Sequence, residues 1–148
     1  MPAQRPGRDD YVYWETQTTR WADIDVYGHM NNARYFEIID TVVNNHLEQA
    51  TGTDIRQLPQ IGVVAEVGCR YFAEVGYPAP VEVGVYVERL GTSSVVYKVG
   101  LFQGPGDEAA AEGTFVHVYV DNTDPARPVT PVPDQIRAAV APLVRPGA

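Results

Sequence analysis

Apolar side chains recur at spacings of three and four residues between Asn32 and Ala50, and this period predicts a long α-helix. The stripe consists of Tyr35, Ile38, Ile39, Val42, Val43, His46 and Leu47. Phe36 widens it, so the first half of the helix is apolar over much of its circumference. A surface helix keeps one polar half, and we therefore expect other elements to wrap this one. Asn31 or Asn32 can cap its start, and Gly52 can end it in a left-handed conformation.

From residue 61 onward the pattern has a period of two, which predicts β-strands. In residues 61–72 the alternation assigns one face to Ile61, Val63, Ala65, Val67, Cys69 and Tyr71. Further strands are predicted at 81–90, 93–102 and 109–120, with turns at 90–92 and 104–107. These three strands, joined by tight turns, indicate an antiparallel meander with one buried face.

Two elements flank this region. Residues 11–21 are rich in aromatic side chains and Thr and predict a first strand, and residues 134–143 predict a short amphipathic helix. The resulting order, β-α-β-β-β-β with a short final helix, is an α+β arrangement in which an antiparallel sheet wraps one long central helix. Small sheets commonly cover their edges by pairing with another copy, so we expect a homodimer at least, with a homotetramer as the alternative.

Composition narrows the class of protein. The 148 residues predict one domain, 1–148, with an ordered core at about 11–143. A net charge of −8 argues against binding to nucleic acid or to anionic membranes. The one cysteine, Cys69, cannot form an internal disulfide and fits a reducing compartment. No apolar run reaches the ~20 residues of a membrane span, and the polar start lacks a signal-peptide core. We therefore expect a cytoplasmic protein with no membrane span.

Residues 20–35, RWADIDVYGHMNNARY, hold the densest cluster of chemistry-bearing side chains. Two carboxylates, Asp23 and Asp25, precede the predicted start of the long helix. Unpaired N–H groups of a first helical turn stabilise developing negative charge, and a carboxylate beside them can act as base or nucleophile. From the residues alone, two other interpretations stay open. The acids can be solvated loop residues, or Asp23, Asp25 and His29 can bind a metal, although no fourth ligand lies nearby.

The string Asp-x-Asp-x-x-Gly-His-Met-Asn-Asn-x-x-Tyr at residues 23–35 resembles the opening motif of the hotdog-fold acyl-CoA thioesterases of the 4-hydroxybenzoyl-CoA thioesterase type. Residues 68–102 resemble that family's second to fourth strands, and residues 127–140 resemble its proline-rich lead into a short last helix. The likeness covers about residues 13–140. It implies the hotdog fold, in which the sheet encloses the helix.

The resemblance implies hydrolysis of an acyl- or aroyl-CoA thioester to the free acid and CoA. No metal or redox cofactor is implied, since the CoA thioester is itself the substrate. Asp25 matches the catalytic carboxylate, as nucleophile or as general base, and Asp23 would orient the loop through backbone or Arg20 contacts. Because a carboxylate must be ionised to act, we expect activity to fall at acid pH.

Other positions in the motif imply supporting roles. The residues implied in oxyanion stabilisation and substrate positioning are Gly28, His29, Asn31 and Asn32, with the backbone N–H near Asn32 facing the thioester oxygen. Tyr27 and Tyr35 are expected at the substrate pocket. Arg70 and Arg89 are candidate contacts for the CoA phosphates, because the guanidinium fork suits phosphate.

Other interpretations of the sequence compete with this one. One is a non-catalytic acyl-CoA-binding or sensing module of the same fold. Another, less favoured, is an enoyl-thioester hydratase, for which His29 is the remaining candidate. Glu37 could be a helical catalytic acid, but the sequence around it does not resemble the thioesterases that use one. Cys69 is interpreted as a small buried hydrophobe rather than a nucleophile.

Overall fold

The computed structural model describes residues 4–145, so the ends of the predicted 1–148 domain lie outside the described residues. The strands are β1 (Tyr13–Gln17), β2 (Gln60–Tyr71), β3 (Val81–Leu90), β4 (Ser94–Phe102) and β5 (Ala111–Asp121), and the α-helices are α1 (Asn32–Thr51) and α2 (Asp134–Val140). The strands form one antiparallel sheet in the order β1-β3-β4-β5-β2. The predicted hotdog fold, with its long helix and short last helix, is confirmed.

Helix α1 packs its predicted stripe against the sheet. All seven stripe residues are buried, and all of them except His46 share one core with the inward side chains of β3, β4 and β5. The Asn31 side chain caps the start by accepting the Ala33 N–H at 2.9 Å. Gly52 ends the helix with a φ of 66°, a left-handed conformation that glycine adopts readily. We call the sheet face that carries this core the inner face.

One glycine fixes how closely α1 approaches the sheet. Gly113 lies on the inner face of β5 opposite Ile39 of α1, and a Cβ atom on Gly113 would overlap the Ile39 Cδ1 atom. The missing side chain therefore provides the space that the helix residue fills.

Strand β2 departs from its predicted alternation. A β-bulge between Val64 and Glu66 shifts its register against β5 by one residue. Cross-strand partners share a face, so Ile61 and Val63 lie on the outer face and not, as predicted, with Tyr71 on the inner face. The bulge reverses the alternation, which is why a uniform period of two was wrong for the first half of this strand.

The first strand is shorter than the predicted 11–21. β1 covers only Tyr13–Gln17 and pairs with β3. The chain then turns through a 3₁₀ segment at Trp21–Asp23, where the Asp23 carboxylate accepts the backbone N–H of Arg20 at 2.9 Å. Gln17 pairs with Val81, the first residue of β3, so the residues after Gln17 have no partner on that strand and β1 ends there.

The outer face of the sheet carries a second, smaller cluster, formed by Tyr11, Tyr86, Phe102 and Ala109. Gly84 and Gly100 are opposite each other on β3 and β4, and a Cβ on either would overlap the Tyr11 side chain. The segment before β1 therefore covers part of this face. Across residues 4–145, neither α1 nor α2 combines the length and the hydropathy that a membrane-spanning helix needs.

Candidate active site

The loop before α1 is folded by its own backbone. Ile24 and Met30 pair in an antiparallel bridge, which closes a short hairpin-like loop. Inside it, the Asp25 N–H donates to the His29 carbonyl at 2.8 Å, and the Gly28 N–H donates to the Asp25 carbonyl at 3.1 Å. Gly28 has a φ of 83°, so glycine is favoured there. This closure brings Asp25 back towards the first turn of the helix.

The Asp25 carboxylate is partly buried, and only one of its two oxygen atoms accepts hydrogen bonds from the loop. Its Oδ1 atom accepts the backbone N–H groups of Tyr27 at 2.9 Å and of His29 at 3.2 Å. Among residues 4–145, no protein group donates to its Oδ2 atom. One carboxylate oxygen thus holds the loop, and the other can accept a proton or attack a carbon atom.

The start of α1 offers an unpaired donor beside this loop. The Ala33 N–H is taken by the Asn31 side chain and the Arg34 N–H by the Asn31 carbonyl at 2.9 Å. The Asn32 N–H has no acceptor in the described part of the chain. The Asn32 side chain accepts a hydrogen bond from the Tyr71 hydroxyl of β2. A free N–H at the positive end of a helix suits an oxyanion.

Asp23 has a structural environment that differs from that of Asp25. Its side chain is buried and accepts the Arg20 guanidinium at 2.9 and 2.6 Å. The Arg34 Nε atom lies 3.2 Å from the second carboxylate oxygen. Hydrogen bonding from Arg20, which outweighs burial, lowers the pKa of Asp23. Asp23 therefore has the Arg20 contact expected of it and anchors the loop to the helix.

Glu37 belongs to the same network of charges. Its carboxylate pairs with Arg34 and lies 3.9 Å from Arg20. The carboxylate is thus held by two guanidinium groups on an exposed surface of α1, an arrangement that favours the solvated structural role expected from the sequence.

His29 forms a contact that the sequence did not suggest. Its Nε2 atom lies 3.0 Å from the Glu74 carboxylate, in the loop after β2, and both side chains are substantially exposed. Gly28 and Tyr27 lie at the exposed tip of the loop, where the Tyr27 side chain is 81% exposed. Within a single chain, Tyr27 therefore lines no enclosed pocket.

Tyr35, in contrast, is buried against the end of β2. Its ring packs edge-on against Tyr71 with centroids 5.0 Å apart. Burial, together with the nearby Cys69 and Asp25, raises the pKa of Tyr35. Burial also raises the pKa of the Cys69 thiol to about 11, so this cysteine is protonated at neutral pH and is a poor nucleophile.

The sequence model of the thioesterase-like superfamily matches residues 19–140. The chain belongs to the thioesterase-like superfamily. This membership supports a thioester hydrolase and, like the fold, agrees with the resemblance noted in the sequence, without singling out the 4-hydroxybenzoyl-CoA type. Curated protein sequences include no significant match.

Solved structures share the fold. The PA5185 protein from Pseudomonas aeruginosa is 40% identical, with a TM-score of 0.90, and the match covers 98% of this chain and all of the other. The PA2801 protein from the same organism is 33% identical over 88% of this chain and 98% of the other, with a TM-score of 0.76. Slr0204 from Synechocystis, a 1,4-dihydroxy-2-naphthoyl-CoA thioesterase, is 13% identical over 90% and 98% of the two chains, with a TM-score of 0.79.

In this superfamily member, Arg70 and Arg89 are far apart within one chain. Both are exposed, one near the end of β2 and the other near the end of β3, three strands away. Following the cross-strand partners from Arg89 through β4 and β5 leads to Glu66 on β2, which lies four residues before Arg70. Strand spacing and rise then separate the two Cα atoms by roughly 20 Å. Their contact with CoA phosphates stays a prediction.

The described residues show no grouping of side chains that matches the metal site considered for Asp23, Asp25 and His29. Over residues 4–145, no three His, Cys, Asp or Glu side chains are grouped as a metal site. Asp23 is paired with arginines and His29 with Glu74, so these two candidate ligands have protein partners.

The sequence did not reveal three neighbours of the loop: Tyr71, Glu74 and Arg34. Tyr71 reaches Asn32 only because the end of β2 packs beside the start of α1, and Glu74 lies in a loop without periodicity. Arg34 did carry a local signal, since it stands three residues before Glu37, a spacing at which helical ion pairs form.

Proposed function

We propose that the protein hydrolyses acyl- or aroyl-CoA thioesters to the free acid and CoA, with Asp25 as the catalytic carboxylate. The observation that carries the proposal is that Asp25, whose Oδ2 atom accepts no hydrogen bond from the described residues, lies in the loop before an unpaired N–H group, that of Asn32 at the start of α1. Membership of the thioesterase-like superfamily supports the reaction type. Slr0204, which shares the fold, acts on an aromatic CoA thioester by its name, and this supports CoA thioesters as the substrate class.

Two routes use the same geometry. In the first, Asp25 attacks the thioester carbonyl through Oδ2 and the C–S bond breaks, which releases CoA as the thiolate and leaves a mixed anhydride that water then opens. In the second, Asp25 removes a proton from a water molecule that attacks the same carbonyl, and the CoA thiolate leaves as the acid forms. Both routes place negative charge on the carbonyl oxygen. The Asn32 N–H, at the positive end of the α1 dipole, would donate to that oxygen and stabilise the charge.

The protein would act as a homodimer or homotetramer in the cytoplasm. Support for assembly comes from β2, an edge strand whose backbone groups on one side are unpaired with other described strands. Its inner face also exposes Val64, Val67 and Tyr71, which are each at least 40% exposed.

The decisive substitution is Asp25→Asn. The asparagine retains Oδ1 as an acceptor for the Tyr27 and His29 N–H groups, so the loop keeps its fold, while the nucleophilic or basic oxygen is lost. We expect thiol release from a panel of acyl- and aroyl-CoA substrates to fall at least ~100-fold in kcat. Asp124→Asn, in an exposed loop, is the matched control and should retain wild-type activity.

Thiol release that survives Asp25→Asn would remove this residue from its assigned role. Tight binding of every acyl-CoA without turnover by the wild-type protein would favour the sensing module instead. Both outcomes are read from the same panel, with bound CoA thioester measured by calorimetry.

The His29–Glu74 contact favours a second candidate, hydration of an enoyl-CoA, because a histidine beside a carboxylate can act as a general base. Under this alternative, wild type would add water to an enoyl-CoA and His29→Gln would abolish that addition. Under the main proposal, the carbon–carbon double bond of the enoyl-CoA is unchanged, and the product detected is the CoA thiol released by hydrolysis.

A further inference from the structure

A second pocket lies near the other end of α1. Its volume is about 260 Å³, and it is bounded by α1, the start of β2, β5 and α2. Asn44, which lines it, stands twelve residues after Asn32, so about 18 Å of helix separates this pocket from the Asp25 loop. The pocket shares no lining residue with the site described above.

Apolar and polar side chains both line this pocket, and the polar ones are Asn44, Arg56, Gln60, His117, Tyr119 and Asn122. Leu47 of α1 and Ile136 of α2 are 1% exposed and form two of its walls, and the rings of Tyr119 and His117 of β5 form a third. Arg56, which is exposed, stands at the rim. An apolar cavity of about 150 Å³ is already large enough to hold benzene, so this one accepts a substituted single ring.

Among these lining residues, His117 is the one with a buried polar atom that has no hydrogen-bond partner within the described residues. Its side chain is only 3% exposed, and its Nδ1 atom has no hydrogen-bond partner within residues 4–145. Burial lowers the pKa of His117 to about 4, so the imidazole is neutral at physiological pH. Buried polar atoms are nearly always paired, and a neutral imidazole offers one donor and one acceptor nitrogen. The unpaired Nδ1 therefore calls for a partner that enters the pocket.

Gly62 leaves the space for that partner. It lies on β2 opposite Tyr119, and a Cβ atom on Gly62 would stand 3.0 Å from His117 Nδ1 and 3.1 Å from the Tyr119 ring. Any larger residue would cover the imidazole nitrogen. Gly62 and His117 both line the pocket, so a molecule bound there lies beside the imidazole whose Nδ1 is unpaired.

We propose that this pocket is a second ligand site, for a small and mainly apolar molecule carrying one neutral hydroxyl group that hydrogen-bonds to His117 Nδ1. A hydroxyl fits either form of the neutral imidazole, because it can both donate and accept. The apolar walls exclude a carboxylate or phosphate from the floor, since an unpaired charge there would lose its hydration.

Phenol and toluene test the proposal as a matched pair that differs in the hydroxyl group. The full-length protein, labelled with ¹⁵N in its histidines, is titrated with each and followed by NMR. We expect phenol to shift the His117 Nδ1 resonance saturably, with a Kd on the order of millimolar for so small a ligand. Toluene should bind at least about tenfold more weakly, because it leaves Nδ1 unpaired.

Two glycines of β2 supply the variant and its control. Gly62→Ala places a methyl group over His117 Nδ1 and should weaken phenol binding at least about tenfold. Gly68→Ala, on the same strand, adds a methyl group that meets nothing within 4 Å and should leave phenol binding unchanged. Thermal denaturation checks that both variants fold, independently of any enzymatic activity.

Three results would each overturn the proposal. The first is that the His117 resonances do not shift at about 20 mM phenol, a concentration several-fold above a millimolar Kd. The second is equal affinity for phenol and toluene. The third is that the folded Gly62→Ala variant binds phenol as well as the wild type does. A single water molecule as the partner of Nδ1 would produce the first of these.

Discussion

At the scale of single residues, the backbone N–H of Asn32 and the side chain of Asn32 can be tested separately by substitution. Asn32 stands first in α1, where proline is well tolerated because that position has no intrahelical acceptor for its N–H. Asn31, the preceding residue, has a φ of −59° and a ψ of 137°, which is also the conformation that proline requires before it. A proline here would remove the proposed oxyanion donor and leave the helix intact.

We therefore expect Asn32→Pro to lower kcat for thioester hydrolysis by ~10²–10³, the usual effect of losing one oxyanion donor. Asn32→Ala retains the N–H and loses only the side-chain contact with Tyr71, so it should cost far less activity. Steady-state kinetics of the two variants make the comparison, with circular dichroism as the check on helix content. Equal losses in both would assign the effect to the side chain.

Asp23, in the loop of the candidate active site, also contributes to the free energy of unfolding. Asp23→Asn removes a buried carboxylate bonded to Arg20 and leaves Arg34, also largely buried, without that negative partner. We expect the free energy of unfolding at pH 7 to fall by roughly 1.5–3 kcal/mol, as for a hydrogen bond to a charged group. Chemical denaturation measures the change.

The pH dependence of that difference has a defined sign. The pKa of Asp23 is lowered in the folded chain, so the carboxylate stabilises the fold above the ordinary aspartate pKa of about 3.9 and loses this effect as pH falls through the folded value. The gap between wild type and Asp23→Asn should therefore narrow below about pH 4. A gap that widens in acid would contradict the assigned ion pair.

At the scale of elements, the contact between α1 and β5 depends on Gly113. Gly113→Ala would press a methyl group against the Ile39 Cδ1 atom and should lower the free energy of unfolding by ~1–3 kcal/mol. Ile39→Val removes that same Cδ1 atom and should cost about 0.5–1.5 kcal/mol alone.

Combined, the two substitutions should compensate each other, because the methyl group lost from the helix makes room for the one gained on the strand. The double variant is expected to be more stable than the sum of the single effects by at least ~0.5 kcal/mol in a denaturation cycle. Strict additivity would show that Ile39 does not approach Gly113 closely enough for the two methyl groups to compete.

The sequence predicted elements where one period governs a whole segment. The stripe of α1 and the strands β4 and β5 follow from spacing alone, and so does β3 as far as Val87, beyond which a bulge shifts its register against β4. Spacing could not predict the bulge at Ala65, because an inserted residue changes the face of its neighbours without changing their hydropathy. The motif likewise predicted that Asp25 lies in the loop before the start of α1, and its catalytic role stays a prediction. Contacts such as Tyr71 with Asn32 arise only when distant segments pack together.

At the scale of the whole molecule, the edge strand β2 predicts assembly. Its inner face exposes Val67 at 40%, beyond the area that α1 covers. We expect sedimentation to give at least twice the 16.3 kDa mass of one chain. Val67→Lys should raise the dimer dissociation constant at least about tenfold, because burying an ammonium group in an interface removes its hydration.

Val129→Lys is the matched control, since Val129 is 64% exposed and lies in the segment after β5 rather than on β2. It should leave the mass in solution unchanged. A monomeric wild type, or equal dissociation of both variants, would assign the exposed face of β2 to something other than a second copy.

The order of the strands has a consequence for synthesis on the ribosome. Helix α1 ends at Thr51, yet the sheet that buries it is complete only when β5 ends at Asp121, seventy residues later. At translation rates of about 5–20 residues per second, the wait is roughly 4–14 s. During that interval the nascent chain has no complete sheet to bury the stripe from Tyr35 to Leu47. Chaperone contacts during translation should therefore concentrate on this one helix.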